Sequence, residues 1–269
     1  MRNRYFTASV VVATLSLAFS AGYAQTKASS GGTAGAAKSA VPDLSGNWGP
    51  SSTHRGGGTF SISDPGGLKV GTAEDDTPYQ PATLARLKSE KPHIGPDATF
   101  DTDDPRIKYC DPIGIPRVYL VPNLFKFVQT PEAVYVLYEY GTLGRQVALN
   151  REHPKDPDPT WWGDSTGKYE GDTLVIDTVG FNDKTWLDHA GRPHSDELHL
   201  VERFRRLDHD NLELDVTFDD PKAYTKTWTG RRYFSLARRD FIEHTCSMSE
   251  NEHFRQLVMD PTLTKSTGK

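Results

Sequence analysis

Past its first twenty residues the sequence lacks any long apolar run. A transmembrane helix needs about 20 apolar residues, so nothing in the body of the chain reads as a membrane span. A surplus of positive charge is missing too: 31 Lys and Arg stand against 36 Asp and Glu, a formal net charge of −5. Nucleic acid would want a basic face, and so would an anionic membrane, so neither is an expected partner. Cysteine is scarce, with two in 269 residues, and C-x-x-C and zinc-type Cys/His spacings are absent. No G-x-S-x-G elbow supplies a serine nucleophile. Gly56-Gly57-Gly58 lacks the strand-to-helix context of a phosphate-binding loop. No repeat of fixed period runs through the chain, and no cofactor is expected.

What is present begins with a leader-like N-terminus. Arg2 and Arg4, an apolar stretch from Val10 to Phe19 and the small residues around Ala24 have the pattern of a signal peptide cut after Ala24. The mature protein is expected to be soluble and periplasmic or secreted, and loss of Arg2 and Arg4 takes its charge to −7. Residues 25–40 are Gly, Ala, Ser, Thr and Lys, a composition too poor in apolar surface to offset its ordering entropy, and read as a flexible spacer. Residues 41–261 form a single β-barrel domain, and 262–269 a loose tail. In an oxidising compartment Cys110 and Cys246 are expected to pair, the alternative being two buried thiols.

Residues 49–112 are rich in Gly, Pro and Asp and read as a long irregular insert after the first strand, with one short helix capped by Thr83 and stopped at Pro92. From Pro116 onward short strands alternate with turn signals. Phe125–Gln129 with Val134–Tyr140, Lys168–Glu170 with Thr173–Phe181, Leu198–Arg206 with Leu212–Asp219, and Thr227–Leu236 with Asp240–Cys246 each read as a hairpin, about ten strands in all. Hairpins without intervening helices predict an all-β antiparallel meander closing into a barrel. Alternation sets Leu212, Leu214, Val216 and Phe218 on one face. It also puts Glu202 on the face of Leu198, Leu200 and Phe204, and Arg232 on the face of Trp228 and Phe234. Charges on apolar faces either pair inside or line a wet cavity.

Gly46-x-Trp48 at the first strand resembles the lipocalin and wider calycin signature. The resemblance implies a Trp plugging one end of a barrel, with a late-strand Arg, here Arg232 or Arg239, packed across it. The chain is also similar to an uncharacterised family of secreted bacterial β-barrel proteins. The strings that carry this likeness include Pro42–Trp48, Val128–Pro131, Tyr138–Tyr140, Asp158–Asp164, Glu170–Asp177, Gly180–Asp188 and Pro193–Arg206. It implies a secreted β-fold and supplies no activity.

Polar and aromatic residues concentrate between Trp161 and His199, where loops carry function. His194, beside several carboxylates, is the expected acid/base residue, with Asp164 or Glu202 to orient it and Arg145 to steady negative charge. Tyr138, Tyr140, Trp161, Trp162, Asn182 and Trp186 are the expected ligand-binding residues. His189, His194, Glu197 and His199 are near in sequence, but their spacing fits no helix, and Asp101–Asp104 and Asp156–Asp158 lack an EF-hand pattern, so no metal site is expected. Two readings lead: an acid/base lyase, isomerase or hydrolase acting on a small molecule or sugar, and a calycin-like carrier without turnover. A structural module of the envelope is the third.

Overall fold

The computed structural model describes residues 41–51, 75–93, 98–99 and 101–249. The expected leader, spacer, C-terminal tail and Gly56–Gly58 lie outside the described residues. Nine strands close into one barrel: β1 (Asn47–Pro50), β2 (Phe125–Gln129), β3 (Ala133–Tyr138), β4 (Leu143–Leu149), β5 (Asp164–Glu170), β6 (Thr173–Val179), β7 (His199–Arg206), β8 (Asn211–Asp219) and β9 (Trp228–Leu236). Neighbours follow chain order, and β9 returns to β1. All pairs are antiparallel except β4 with β5, where Ala148 faces Thr166 and Leu149 faces Gly167. Parity requires this exception. An odd ring cannot alternate direction throughout, so nine strands need a parallel neighbour somewhere. The 150–163 connection provides it by climbing the outer face before entering β5.

Other features also differ from the sequence reading. Asp240–Cys246 is not a tenth strand, because β1 already occupies the free edge of β9, from Trp48 opposite Leu236 to Pro50 opposite Phe234. The first helix, α1 (Pro81–Ser89), begins at Pro81 with Gln80 before it, so Thr83 lies inside the helix rather than capping it. Proline at the first helical position loses no hydrogen bond and has its φ preset. The described part of the insert also holds a second short helix, α2 (Pro105–Tyr109), capped by the Asp104 side chain, and a 3-10 turn follows it at Arg117–Tyr119.

Chain direction puts the exit from β1, the entry to β2 and the connections 180–198 and 220–227 at one end of the barrel, and the tight turns 130–132, 171–172 and 207–210 at the other. The 3-10 turn drives Tyr119 into the barrel, where its ring meets Phe125 at 5.0 Å, Phe204 at 5.5 Å and Phe234 at 6.2 Å. These edge-on aromatic contacts add to the burial of large apolar surface, and Val134, Val136, Leu214 and Val216 line the lumen around them. Trp48 is fully buried, and its indole N–H donates to the Leu44 carbonyl. The arginine across its ring is Arg206, at 5.1 Å, not Arg232 or Arg239. Arg206 closes β7, and its guanidinium also holds the Asp43 carbonyl as residues 42–45 cross that end. Cys110 and Cys246 form a disulfide. Among the described residues no helix is long and apolar enough to cross a membrane.

Candidate functional site in the barrel lumen

The alternation of β7 turns Glu202 into the barrel, and β4 turns Arg145 toward it. They form an ion pair at 2.6 Å, with Glu202 fully buried. Arg145 also donates to the Tyr119 hydroxyl at 3.2 Å, and the Tyr119 and Tyr138 hydroxyls are 2.9 Å apart. Ser165 of β5 lies 3.5 Å from the Arg145 guanidinium and 3.1 Å from the Thr178 hydroxyl on β6. Trp162 stacks on Tyr138 with ring centres 5.3 Å apart and is partly exposed. Gly163 turns the chain sharply after it. Its φ is +67°, and a Cβ there would stand 2.6 Å from the Val179 carbonyl, so only glycine fits.

Burying two charges costs more than their attraction returns unless further hydrogen bonds satisfy them. Here satisfaction is incomplete. Glu202 Oε1 and Arg145 Nε are buried and have no hydrogen-bond partner in the protein. Burial works against the Arg145 charge, but Glu202 more than offsets it and keeps the group cationic. Burial pushes the Tyr138 hydroxyl up to about 12 and raises Tyr119 well above its ordinary value. Both phenols therefore stay protonated, and one donates to the other.

Of the expected site residues, the fold brings together Arg145, Glu202, Tyr138 and Trp162. It places the others elsewhere. His194 is 2 % exposed in the 180–198 connection. Its Nδ1 faces the Ser195 carbonyl at 2.9 Å and its Nε2 the Thr185 hydroxyl at 2.7 Å. A carbonyl only accepts, so Nδ1 carries the proton and Nε2 receives one from Thr185, leaving no lone pair for a substrate. Asp164 binds Arg151 at 2.6 Å and His153 at 2.7 Å on the outer face, so neither Asp164 nor Glu202 orients His194. Tyr140 bonds Arg106, Trp186 is buried beneath the Arg117 guanidinium, Trp161 lies 5.7 Å from Lys184, and Asn182 accepts from the Lys184 backbone. His189, His194, Glu197 and His199 are not gathered, and no three such side chains among the described residues form a ligand set.

Sequence reasoning missed Tyr119, Ser165, Thr178 and His153. Tyr119 comes from a stretch with no periodicity. Ser165 and Thr178 face inward by strand alternation, a signal that was available. His153 is held by Asp164 on one ring nitrogen and by Asp177 at 3.0 Å on the other, and His199 reaches the same Asp177 oxygen at 2.9 Å. An outer groove of about 210 Å³ lined by Arg203, Arg205 and Arg231 is a lattice of surface ion pairs, each arginine holding a carboxylate.

The buried histidines predict acid sensitivity. Burial, with Arg117 and Arg106 nearby, pushes His189 down to about 3, and burial lowers His194. Below an ordinary pKa of 6.5 the unfolded chain binds protons that the folded chain refuses, so this stability is present above pH 6.5 and is lost as pH falls. Each such histidine adds a slope of up to about 1.4 kcal/mol per pH unit. His199, raised by its bond to Asp177, has the opposite sign but is half exposed and contributes less. Urea unfolding between pH 7 and 4 should show a falling midpoint, flattened in His189→Gln. An unchanged slope in that variant would contradict the assignment.

Comparison with protein-family models, with curated proteins and with solved structures finds no match to this chain.

Proposed function

We propose that this barrel is a carrier for a small organic molecule outside the cytoplasm, taking the ligand's polar end against Arg145 and Glu202. The observation that carries this is the ion pair in an aromatic lumen with one acceptor, Glu202 Oε1, and one donor, Arg145 Nε, unmet. Unmet buried polar groups call for a water or a ligand atom. A sugar hydroxyl or a hydroxy acid offers both a donor and an acceptor, and Trp162, stacked on Tyr138, offers a partly exposed ring. A permanent cation and two phenols that do not ionise suit binding better than proton transfer. The Cys110–Cys246 bond supports an oxidising compartment, and the lipocalin-like start supports a carrier. A catalytic alternative has one observation in its favour: His153, partly exposed between Asp164 and Asp177, where an imidazole could move a proton.

Calorimetry against sugars, hydroxy acids and aromatic acids, with mass spectrometry for turnover, tests both. A ligand of the wild type should bind at least about tenfold more weakly to Glu202→Gln, the cost of one lost buried hydrogen bond. It should also bind more weakly to Trp162→Ala, bind equally to His153→Asn, and emerge unchanged. Conversion by the wild type that His153→Asn abolishes would replace the carrier with an enzyme. Equal binding by all three variants would remove the lumen site.

A further inference from the structure

The 150–163 connection carries Pro154, Pro157 and Pro159. Proline has no N–H to donate, and among the described residues no backbone hydrogen bond is made from Arg151 to Pro159. The backbone is anchored on either side of this stretch, where the Asn150 N–H donates to the Gly167 carbonyl and the Thr160 N–H to the Gly180 carbonyl. Side chains must hold the middle to the barrel, and Arg151 and His153 supply that hold. Arg151 binds Asp164 at 2.6 Å. His153 stands between two strands. Its Nδ1 lies 2.7 Å from Asp164 Oδ1 on β5, and its Nε2 lies 3.0 Å from Asp177 Oδ1 on β6 and 3.2 Å from the Thr166 hydroxyl on β5. From β7, His199 Nε2 reaches the same Asp177 oxygen at 2.9 Å, and Asp219 of β8 is the register partner of His199.

An ionised carboxylate only accepts, so both contacts of His153 are hydrogen bonds only if both ring nitrogens carry protons. A neutral imidazole has one N–H. It can donate to Asp164 through Nδ1 and accept from the Thr166 hydroxyl at Nε2, but both of those partners are on β5, and a lone pair then faces Asp177. The tie to β6 therefore belongs to the charged form. The local charges agree. Asp164, Asp177 and Asp219 face the two histidines, with Arg151 as the cation on Asp164. Neutral histidines leave three negative charges against one positive, and two imidazolium groups restore the balance. The bond to Asp177 raises His199, and the bonds from His199 and then His153 hold Asp177 below the usual carboxylate range.

We propose that His153, Asp164, Asp177 and His199 form a proton-operated latch, which ties the middle of the 150–163 connection to β6 in acid and releases it when His153 becomes neutral. Its sign opposes that of the interior. The stability that His199 draws from Asp177 is fully present below pH 6.5 and is lost as pH rises through its raised value, whereas His189 and His194 lose stability as pH falls. The outer face thus gains a tie under the conditions that weaken the core. The latch ends before Trp162, because Thr160 is pinned separately by its N–H to Gly180 and its carbonyl to the Asn182 N–H. It uses no lumen residue and no ligand, so it and the carrier reading fail independently.

The test is nitrogen-15 NMR of the full chain between pH 5 and 9, reading the histidine rings and backbone amide exchange together. At pH 5 both ring nitrogens of His153 should carry protons. As pH rises the Nε2 proton should be lost. Exchange of the amides from Arg151 to Asp158, corrected for its intrinsic pH dependence, should then accelerate about two- to fivefold, the range for one partly exposed ion pair. The β5 and β6 amides should keep their rates. His153→Asn has a donor and an acceptor but cannot take a charge, and Asp177→Asn removes the charged acceptor. Both variants should show the fast exchange already at pH 5, with no further change as pH rises, and Asp177→Asn should return His199 toward its ordinary value. A singly protonated His153 at pH 5, exchange in the wild type that ignores pH, or a pH dependence that survives in either variant would overturn the proposal.

Discussion

Replacing Glu202 alone by leucine should cost about 3–5 kcal/mol of folding stability, the usual effect of stranding one charge of a buried pair. Arg145 would then be left in the lumen with only the Tyr119 and Ser165 hydroxyls, and neither carries a compensating charge. Replacing Arg145 alone by methionine should cost a similar amount, because it strands the fully buried Glu202 carboxylate. Making both changes together should cost far less than the sum and could even stabilise the barrel, since apolar side chains of similar volume avoid both desolvation penalties. Urea unfolding of the four proteins at pH 7 gives the coupling energy directly. If the single losses simply add in the double variant, the pair is not the coupled unit that its 2.6 Å contact indicates. The double variant has a second use. A barrel that is stable yet no longer binds its ligand would show that the ion pair is kept for recognition rather than for folding.

How far such a site can be read from sequence depends on what fixes each residue. Glu202 was legible because strand alternation is a local rule: with Leu200 and Phe204 inward, the residue between them on the same face must also point inward. The same rule makes Leu212 to Phe218 one buried face. His194 shows the limit of composition. Its loop is dense in charge and looks solvent-facing, yet it is buried because its polar groups satisfy one another. Asp188 holds Arg192, Asp220 holds Ser195, and Thr185 holds His194. Such pairings depend on three-dimensional closure and leave no periodic trace. Tyr119 was illegible for a related reason: its place in the lumen is set by where a non-periodic insert crosses the barrel end, a long-range fact. The supposed tenth strand was misread because Asp240–Cys246 has the composition of a strand. Barrel closure had already given its pairing edge to β1, and only one backbone bond, from Gly141 to the His244 carbonyl, remained.

Removal of the Cys110–Cys246 bond is expected to lower stability by about 2–5 kcal/mol, because the two residues are 136 apart and the bond restricts a long loop in the unfolded chain. The native effect should be local. Cys110 ends α2 in a left-handed conformation, and Cys246 sits at the far end of a C-terminal strap. That strap has other anchors: Arg239 grips the buried Glu139 with both terminal nitrogens, and the Ile242 N–H donates to the same carboxylate. The Cys110→Ser/Cys246→Ser protein should therefore keep its barrel and its urea-resistant core, while amide exchange accelerates from about residue 242 onward. Its unfolding slope in urea should rise, since an unlinked denatured chain exposes more surface. Adding Glu139→Gln should then free the whole strap, an effect larger than either change alone. That strap also carries His244, whose ring rests against Tyr140 beside Arg106, and freeing it should leave Arg145 and Glu202 undisturbed. Equal midpoints for oxidised and cysteine-free protein would mean that Arg239 and Glu139 alone hold the strap and that the loop constraint adds nothing.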